Sequence, residues 1–469
     1  MPIIPARQLP GRQTRFKWQI EFGYMSEDTK STVNPRYFLQ KKIHFYLTLA
    51  VIATTLFSWF NINSCLIILL LLCRLLDGNP RIALKTAFAN KAFLAYLSIF
   101  LLEVAGLFYT HHLFVAWHQM ESKATLFAIP FIICAGPFTD DAGYRRLLFA
   151  YCLLLSGICL YCLSMAVMEY HWQHDLNVFF YHQLTSAVSV NAVFFSGYVL
   201  VAIIFLLFSG SPAISPSPPI SPSPPIVRGL RIALLVFFTI MMVLLSSRLL
   251  LVLLAVIFGV WLIGLRRSKM NSNHVIALGL LIFLGMGLLA FTDNPLSRRC
   301  KELQPVQLTF DLKKNSISTT NLNGVTFRLL VWQFAFDILN ERRAWVFGVS
   351  AGDSQELLDQ KYMASGMSQG YLGYNFHDEF AEVLVRSGIV GCGIFMLAVL
   401  TLIRRARSAA TPEVGFTIAV VLLIFLTEST LEMQHTLFLS SFFPLLALSR
   451  RTAAPRQHVN KMQLKPHIF

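Results

Sequence analysis

Long apolar stretches, each closed by a short polar or basic segment, recur along most of this chain. A helix that crosses a bilayer needs about 20 mostly apolar residues, with about 17 as the lower end. Stretches that meet or approach that length lie near 44–60, 61–76, 92–110, 124–138, 147–168, 191–209, 231–246, 249–265, 274–291, 389–403, 415–429 and 434–449. The pattern predicts an all-α integral membrane protein with about 12 transmembrane helices. Only Phe60 to Ser64 separates the first two stretches, so one broken helix is the competing reading there.

Between the ninth and tenth stretches the pattern changes, and residues 292–388 are polar. Within them Phe327, Leu330, Val331, Phe334 and Ile338 recur at helical spacing, which predicts an amphipathic helix over Asn323–Asn340, on the membrane surface or against the bundle. Gly348 to Asp353 reads as a turn, too loose for a nucleotide-binding fingerprint. A second helix is predicted to begin near Asn375 and run through Phe380, Val383 and Leu384 to Gly388.

Composition supports a bilayer setting. Of 469 residues, 55% are hydrophobic and 13% charged, against about 25% charged in soluble domains. A soluble fold, a disordered chain and a collagen-like repeat are all excluded. The formal charge of +15 would suggest nucleic acid in a soluble protein; here its sidedness matters more, and no nucleic-acid partner is expected. With the N-terminus in the cytoplasm, 27 of the 39 Lys and Arg fall on the cytoplasmic side. Short outer loops then hold only Lys123 and Arg248, and the remaining ten sit in 292–388, a length that translocates largely regardless of charge.

The expected organisation is therefore a basic cytoplasmic arm (1–43), nine helices (44–291) interrupted by a Ser/Pro-rich cytoplasmic linker (210–228), a periplasmic loop domain (292–388), three further helices (389–449) and a basic tail (450–469). The linker reads as an extended spacer, and arm and tail as segments resting on membrane lipids. No cleavable signal peptide is expected, since the first 43 residues are polar and basic. Seven of the eight cysteines lie in or beside apolar runs and only Cys300 in a polar stretch, so neither a structural disulfide nor a metal site is expected.

Two residue types stand out chemically. Arg248 interrupts an apolar run from Leu230 to Leu265 at what the topology makes the outer surface, where a positive-inside anchor does not belong. Its planar, permanently charged fork suits phosphate. His377 is expected in the first turn of the second loop helix, capped by Asn375 and Asp378. A helix N-terminus disfavours the imidazolium, and a neutral imidazole there could accept a proton; a water-satisfied interfacial histidine is the alternative.

Ser247-Arg248 at the outer end of a span, Arg328-x-x-x-Trp332 on the first loop helix, and His377-Asp378 shortly before Gly388-Ile389-Val390-Gly391 resemble the O-antigen ligase family, part of a superfamily with O-antigen polymerases and O-linked oligosaccharyltransferases. Where the family usually has Asn after the histidine, this chain has Asp378. The resemblance covers residues 44–449, including Glu428 to Glu432 between the last two helices. It implies transfer of a glycan from undecaprenyl pyrophosphate to a sugar hydroxyl of lipid A-core, at the periplasmic face of the bacterial inner membrane. It implies His377 as base and Arg248 and Arg328 as the catalytic pyrophosphate-binding groups, with Trp332 and Asp378 also in the substrate site. It further implies inversion at the anomeric carbon and neither metal nor other cofactor.

An O-antigen polymerase, or an O-linked oligosaccharyltransferase acting on protein, is the nearest alternative. A transporter would show ionisable residues within its spans and an internal repeat; Glu103 is the clearest such acid. A metal-dependent transferase would present paired acids outside, where only Asp378-Glu379 are adjacent.

Overall fold

The computed structural model describes residues 35–136, 138–208, 225–267 and 324–449. Most of the N-terminal arm, nearly all of the Ser/Pro linker, the stretch expected to span near 274–291, residues 292–323 with Cys300, Arg298 and Arg299, and the tail lie outside the described residues. By its contacts the chain divides into units 1–44 and 45–469. Of the first, the described residues are the opening turns of helix α1.

Among the described residues the protein is helical, without a strand. In chain order the helices are α1 (Pro35–Leu56), α2 (Phe60–Leu76), α3 (Pro80–Phe88), α4 (Lys91–Gly106), α5 (Leu113–Ser122), α6 (Thr125–Cys134), α7 (Asp141–Gln173), α8 (Ala192–Phe208), α9 (Pro225–Leu245), α10 (Arg248–Arg267), α11 (Gly324–Glu341), α12 (Ala351–Ala364), α13 (Glu379–Ala409), α14 (Pro412–Phe425) and α15 (Gln434–Ser449). Asp141–Gln173, Ile226–Leu245 and Glu379–Ala409 are long and apolar enough to cross a membrane. Helices α2 and α3 form a pair bent by 108° that passes the same test together.

The first two apolar stretches are separate helices. The break falls at Phe57 to Trp59, just before the Phe60 to Ser64 stretch expected to separate the two, with Ser58 at φ 55°. Asn63 instead works inside the bundle: its amide donates to Val51 O at 2.8 Å and to the Thr54 and Thr55 hydroxyls, and its oxygen accepts from Gln434 at 2.8 Å. A buried asparagine with both ends satisfied holds two helices in register without an unpaired polar group.

Helix α8 is the centre of the second unit, with every residue buried. Helices α9, α10 and α14 pack against it, α13 packs on α4, and α15 on α6. Between apolar helices in a bilayer there is no hydrophobic driving force, so close packing and hydrogen bonds set the arrangement, the latter at about 0.6 kcal/mol each. Gly197 on α8 gives such an approach, since an added Cβ would lie 2.8 Å from Ile424 and Leu439 side-chain atoms. Tyrosine hydroxyls tie helices to backbone: Tyr198 to His435 O, Tyr96 to Ser440 O and Tyr151 to Tyr198 O.

Helix α13 is interrupted at Gly388, whose φ of 63° and ψ of −166° are not helical. Four backbone hydrogen bonds replace the helical ones lost there. Val385 O and Arg386 O, which would accept from Ile389 and Val390, instead accept from Val349 and Ser350 at 2.8 and 2.9 Å. The freed Ile389 and Val390 N–H groups donate to Trp345 O and Val346 O. A segment from Trp345 to Ser350 thus lies across the kink as a strap, and the backbones touch. A Cβ on Gly388 would sit 2.3 Å from Val346 backbone atoms, and one on Gly348 2.4 Å from Arg386 backbone. The glycines are there because nothing larger fits.

Candidate active site

The loop residues build a small core of their own. Phe327, Leu330, Val331, Phe334 and Ile338, the apolar face read from the sequence, are all buried on α11. They pack with Val349, Leu358, Tyr362, Met367, Phe376 and Val385. The face therefore meets α12 and α13 within the loop rather than lying open on a membrane surface. That leaves Arg328, one residue past Phe327, on the margin of the core, and Trp332 one turn further on.

Helix α12 was not expected. The turn lies earlier, at Trp345 to Phe347; Gly348 and Ser350 have φ of 72° and 73° around a bend at Val349, and Ala351, Gly352 and Asp353 already belong to the helix. Ser350 caps it by accepting from Gly352 N–H, and Asp353 in the first turn accepts from the backbone of His111 and His112, just before α5. The signal available was Ser350-x-x-Asp353, a capping pair preceding Leu357, Leu358 and Tyr362 at helical spacing.

His377 lies outside the helix it was expected to open. Asp378 itself is the N-cap, its carboxylate accepting from Ala381 N–H at 2.8 Å, and the helix starts at Glu379. Asn375 accepts from His377 N–H at 3.1 Å, closing a turn that holds His377 at φ 50°. The placement at the helix dipole is thus corrected, and another group takes over the histidine's environment. Left-handed backbone at a non-glycine residue is uncommon, and it frequently marks functional positions.

From that turn the imidazole meets Glu428, in the connection between α14 and α15. Nδ1 is 3.1 Å from Glu428 Oε2. The other carboxylate oxygen, Oε1, accepts from Arg328 Nη2 at 3.0 Å, while Arg328 Nε donates to Thr427 O and Nη1 to Gly324 O. The Glu428 side chain is only 7% exposed, against 27% for Arg328 and 23% for His377. Arg328, Glu428 and His377 form one hydrogen-bonded trio. Phe327 and Tyr374 set their edges against the imidazole, with centroids 5.4 and 5.9 Å away.

Because a carboxylate only accepts, the contact calls for a proton on Nδ1, and in the neutral imidazole the lone pair is then on Nε2. That atom is buried and has no hydrogen-bond partner among the described residues; the same holds for Trp332 Nε1. Of the five N–H groups of a guanidinium, the three contacts of Arg328 leave two on its terminal nitrogens. Asp378 is largely buried, and burial raises its carboxyl above the usual range against the pull of the Ala381 and Phe380 N–H groups. Its carboxylate is committed to the cap.

Arg248 opens α10 directly after Ser246, which has φ 52°, and Ser247. It is half-buried, on a helix that packs against α8 and α14. It is not part of the hydrogen-bonded trio. Arg386 is internal: 4% exposed, it pairs with Glu382 at 2.8 Å and Glu432 at 2.6 Å. Lys123 joins Glu432 to Glu103, each at 2.8 Å. Burial and Arg386 lower its pKa, but Glu103 and Glu432 outweigh them and leave it raised. Among the described residues no three His, Cys, Asp or Glu side chains converge as metal ligands.

The described residues are thus all helical, with three helices long and apolar enough to cross a membrane and a compact core beside which a carboxylate-bound histidine meets an arginine. Residues 233–396 match the family model described as O-Antigen ligase. The matching segment carries Arg248, Arg328, Trp332, His377 and Asp378, and over it the chain is similar to the O-antigen ligase family. A comparison with curated proteins gives no match. Glu428 lies beyond the matching segment, in a connection the sequence reading included in the resemblance without giving that residue a role.

Proposed function

We propose that the protein transfers a glycan from undecaprenyl pyrophosphate to a sugar hydroxyl of lipid A-core at the periplasmic face of the bacterial inner membrane, with about twelve spans and both termini cytoplasmic. The observation that carries this reading is the contact between His377 and Glu428, which in the neutral imidazole leaves the lone pair on Nε2, an atom with no hydrogen-bond partner among the described residues. A sugar hydroxyl is a poor nucleophile and needs such a base.

In this reading the acceptor O–H gives its proton to Nε2 while its oxygen attacks the anomeric carbon. The bond from that carbon to the phosphate oxygen breaks on the opposite face, its electron pair leaves with undecaprenyl pyrophosphate, and the centre inverts. Glu428 stabilises the imidazolium that forms, as a buried carboxylate does beside a histidine base. The leaving group is a stable anion that requires charge neutralisation more than protonation. Arg328 offers its two remaining N–H groups. Arg248 lies at a helix N-terminus, where the macrodipole opposes a cation and favours an anion, so side chain and helix end both suit phosphate. Trp332 offers its indole N–H to the substrate. The reading assigns no metal or other cofactor, and the adjacent acids Asp378 and Glu379 are engaged with Ala381 and Leu431 N–H groups.

The test is lipopolysaccharide from a strain lacking the protein, complemented with wild type, Arg248→Ala, Arg328→Ala or His377→Ala. Normally expressed variants that leave bare core while long polymer accumulates on the lipid carrier support the ligase. Core bearing a single repeat unit identifies a polymerase, loss of glycan from proteins an oligosaccharyltransferase, and an unchanged ladder overturns the reading.

A further inference from the structure

The residues that meet in the trio come from two segments far apart in sequence, and each needs a support on its far side. On the loop side the turn at 375–378 hands His377 toward the bundle. On the other side Thr427 to Glu432 cross between α14 and α15. One side chain touches both. Glu382, 2% exposed in the first turn of α13, accepts through Oε2 from Phe376 N–H at 3.3 Å and from the Ser429 hydroxyl at 2.9 Å. Phe376 precedes His377, and Ser429 follows Glu428. The second oxygen of Glu382 forms an ion pair with Arg386, 2.8 Å from its Nε.

Two further ties hold the same crossing to α13. Glu379 accepts from Leu431 N–H at 2.8 Å, and Arg386 pairs with Glu432 at 2.6 Å. These reach only the α14–α15 side. Among the described residues, Glu382 is the side chain bonded to the chain neighbours of both His377 and Glu428.

We propose that Glu382 is a positioning residue for the transfer reaction: a single carboxylate oxygen clamps Phe376 and Ser429 and so fixes the separation at which the base meets its carboxylate. The inference rests on the role proposed above for His377 and Glu428. It adds that their geometry is set by a third acid that touches no substrate. Small displacements at a base cost rate disproportionately, because the proton must pass within hydrogen-bond reach.

The experiment uses full-length protein in liposomes with an undecaprenyl-pyrophosphate-linked glycan and lipid A-core. Ser429→Ala is the decisive variant, since it removes one arm of the clamp and leaves the Glu382–Arg386 pair intact; Glu382→Gln is its companion. Each is expected to lower kcat about tenfold, with the KM for the lipid-linked donor within about twofold and the melting temperature of Ser429→Ala close to wild type. A double-mutant cycle separates positioning from general stability: in a Glu428→Gln background, Ser429→Ala should cost less than about twofold further. If Ser429→Ala leaves kcat unchanged, or costs the same tenfold in both backgrounds, while His377→Gln and Glu428→Gln are strongly impaired, the clamp is overturned and the site stands. If His377→Gln and Glu428→Gln retain full activity, the reading of the site fails and the clamp falls with it.

Discussion

Across 51 residues of chain, His377 Nδ1 and Glu428 Oε2 meet at 3.1 Å, and the same carboxylate holds Arg328 through its other oxygen at 3.0 Å. One buried acid therefore sets both the tautomer of the histidine and the pose of the arginine. Glu428→Gln keeps the shape but loses the charge. The expected outcome is a fall in transfer rate of up to about 10⁴-fold, as when the carboxylate that orients a histidine base is replaced by its amide. His377→Ala, which removes the base, should lose about 10²- to 10⁴-fold. Initial rates in the reconstituted assay check both, and a Glu428→Gln enzyme as fast as wild type would separate the carboxylate from the chemistry.

The strap across α13 makes a different prediction. Gly348→Ala and Gly388→Ala each place a Cβ within 2.4 Å of backbone at positive φ, where neither side can yield. Gly366 has a similar φ of 70° but nothing within 4 Å. Gly366→Ala should thus cost only the left-handed penalty of about 1–2 kcal/mol, whereas the strap variants should lose markedly more. Thermal unfolding of the purified variants checks the order, and equal costs at the three positions would show that the crossing is not tight.

Lys123 is 2% exposed between Glu103 and Glu432. Lys123→Met leaves Glu103 without its cation and Glu432 with Arg386 alone, a change that costs about 3–5 kcal/mol. Lys361, paired with an exposed Glu341, provides the contrast, and Lys361→Met should fall within about 1 kcal/mol of wild type. Chemical denaturation of the two variants distinguishes them.

Acid should act on the same network through Glu432. Burial raises its carboxyl, but Arg386 and Lys123 outweigh burial and hold it below the ordinary range. The folded protein then binds fewer protons at this site than the unfolded chain. Its contribution is fully present above the ordinary glutamate value of about 4.3 and is lost as pH falls through the lowered folded value. Melting temperatures followed from about pH 5 to about pH 3 should decline more steeply for wild type than for Glu432→Gln. Parallel curves would exclude the linkage.

The helices were legible in the sequence because a bilayer helix must satisfy every backbone group internally and cover itself with apolar side chains. Within the described residues the expected stretches fall on helices. The face of α11 was legible too, since Phe327 to Ile338 kept a 3.6-residue period against a polar background. What could not be read was how distant segments meet. His377 looked like a first-turn residue because Asn375 and Asp378 both make good caps. Only the turn geometry shows that Asp378 takes the role and that the backbone reverses before it. Glu428 stood in the expected connection, yet nothing local distinguishes it from Glu432, and their separate partners, His377 and Arg328 for one, Arg386 and Lys123 for the other, come from remote elements. Arg386 illustrates the converse: it is one of the ten basic residues of the polar stretch 292–388, and packing places it inside, facing acids.

The trio has one further property. Arg328 and His377 precede the left-handed residue Ala410 that ends α13, and Glu428 follows it. A protein nicked in that connection would carry the base on one fragment and its counter-ion on the other, so neither piece alone could contain the trio. Recovered turnover from co-expressed fragments would then count reassembled molecules, and the reaction itself would report on how the last two helices dock.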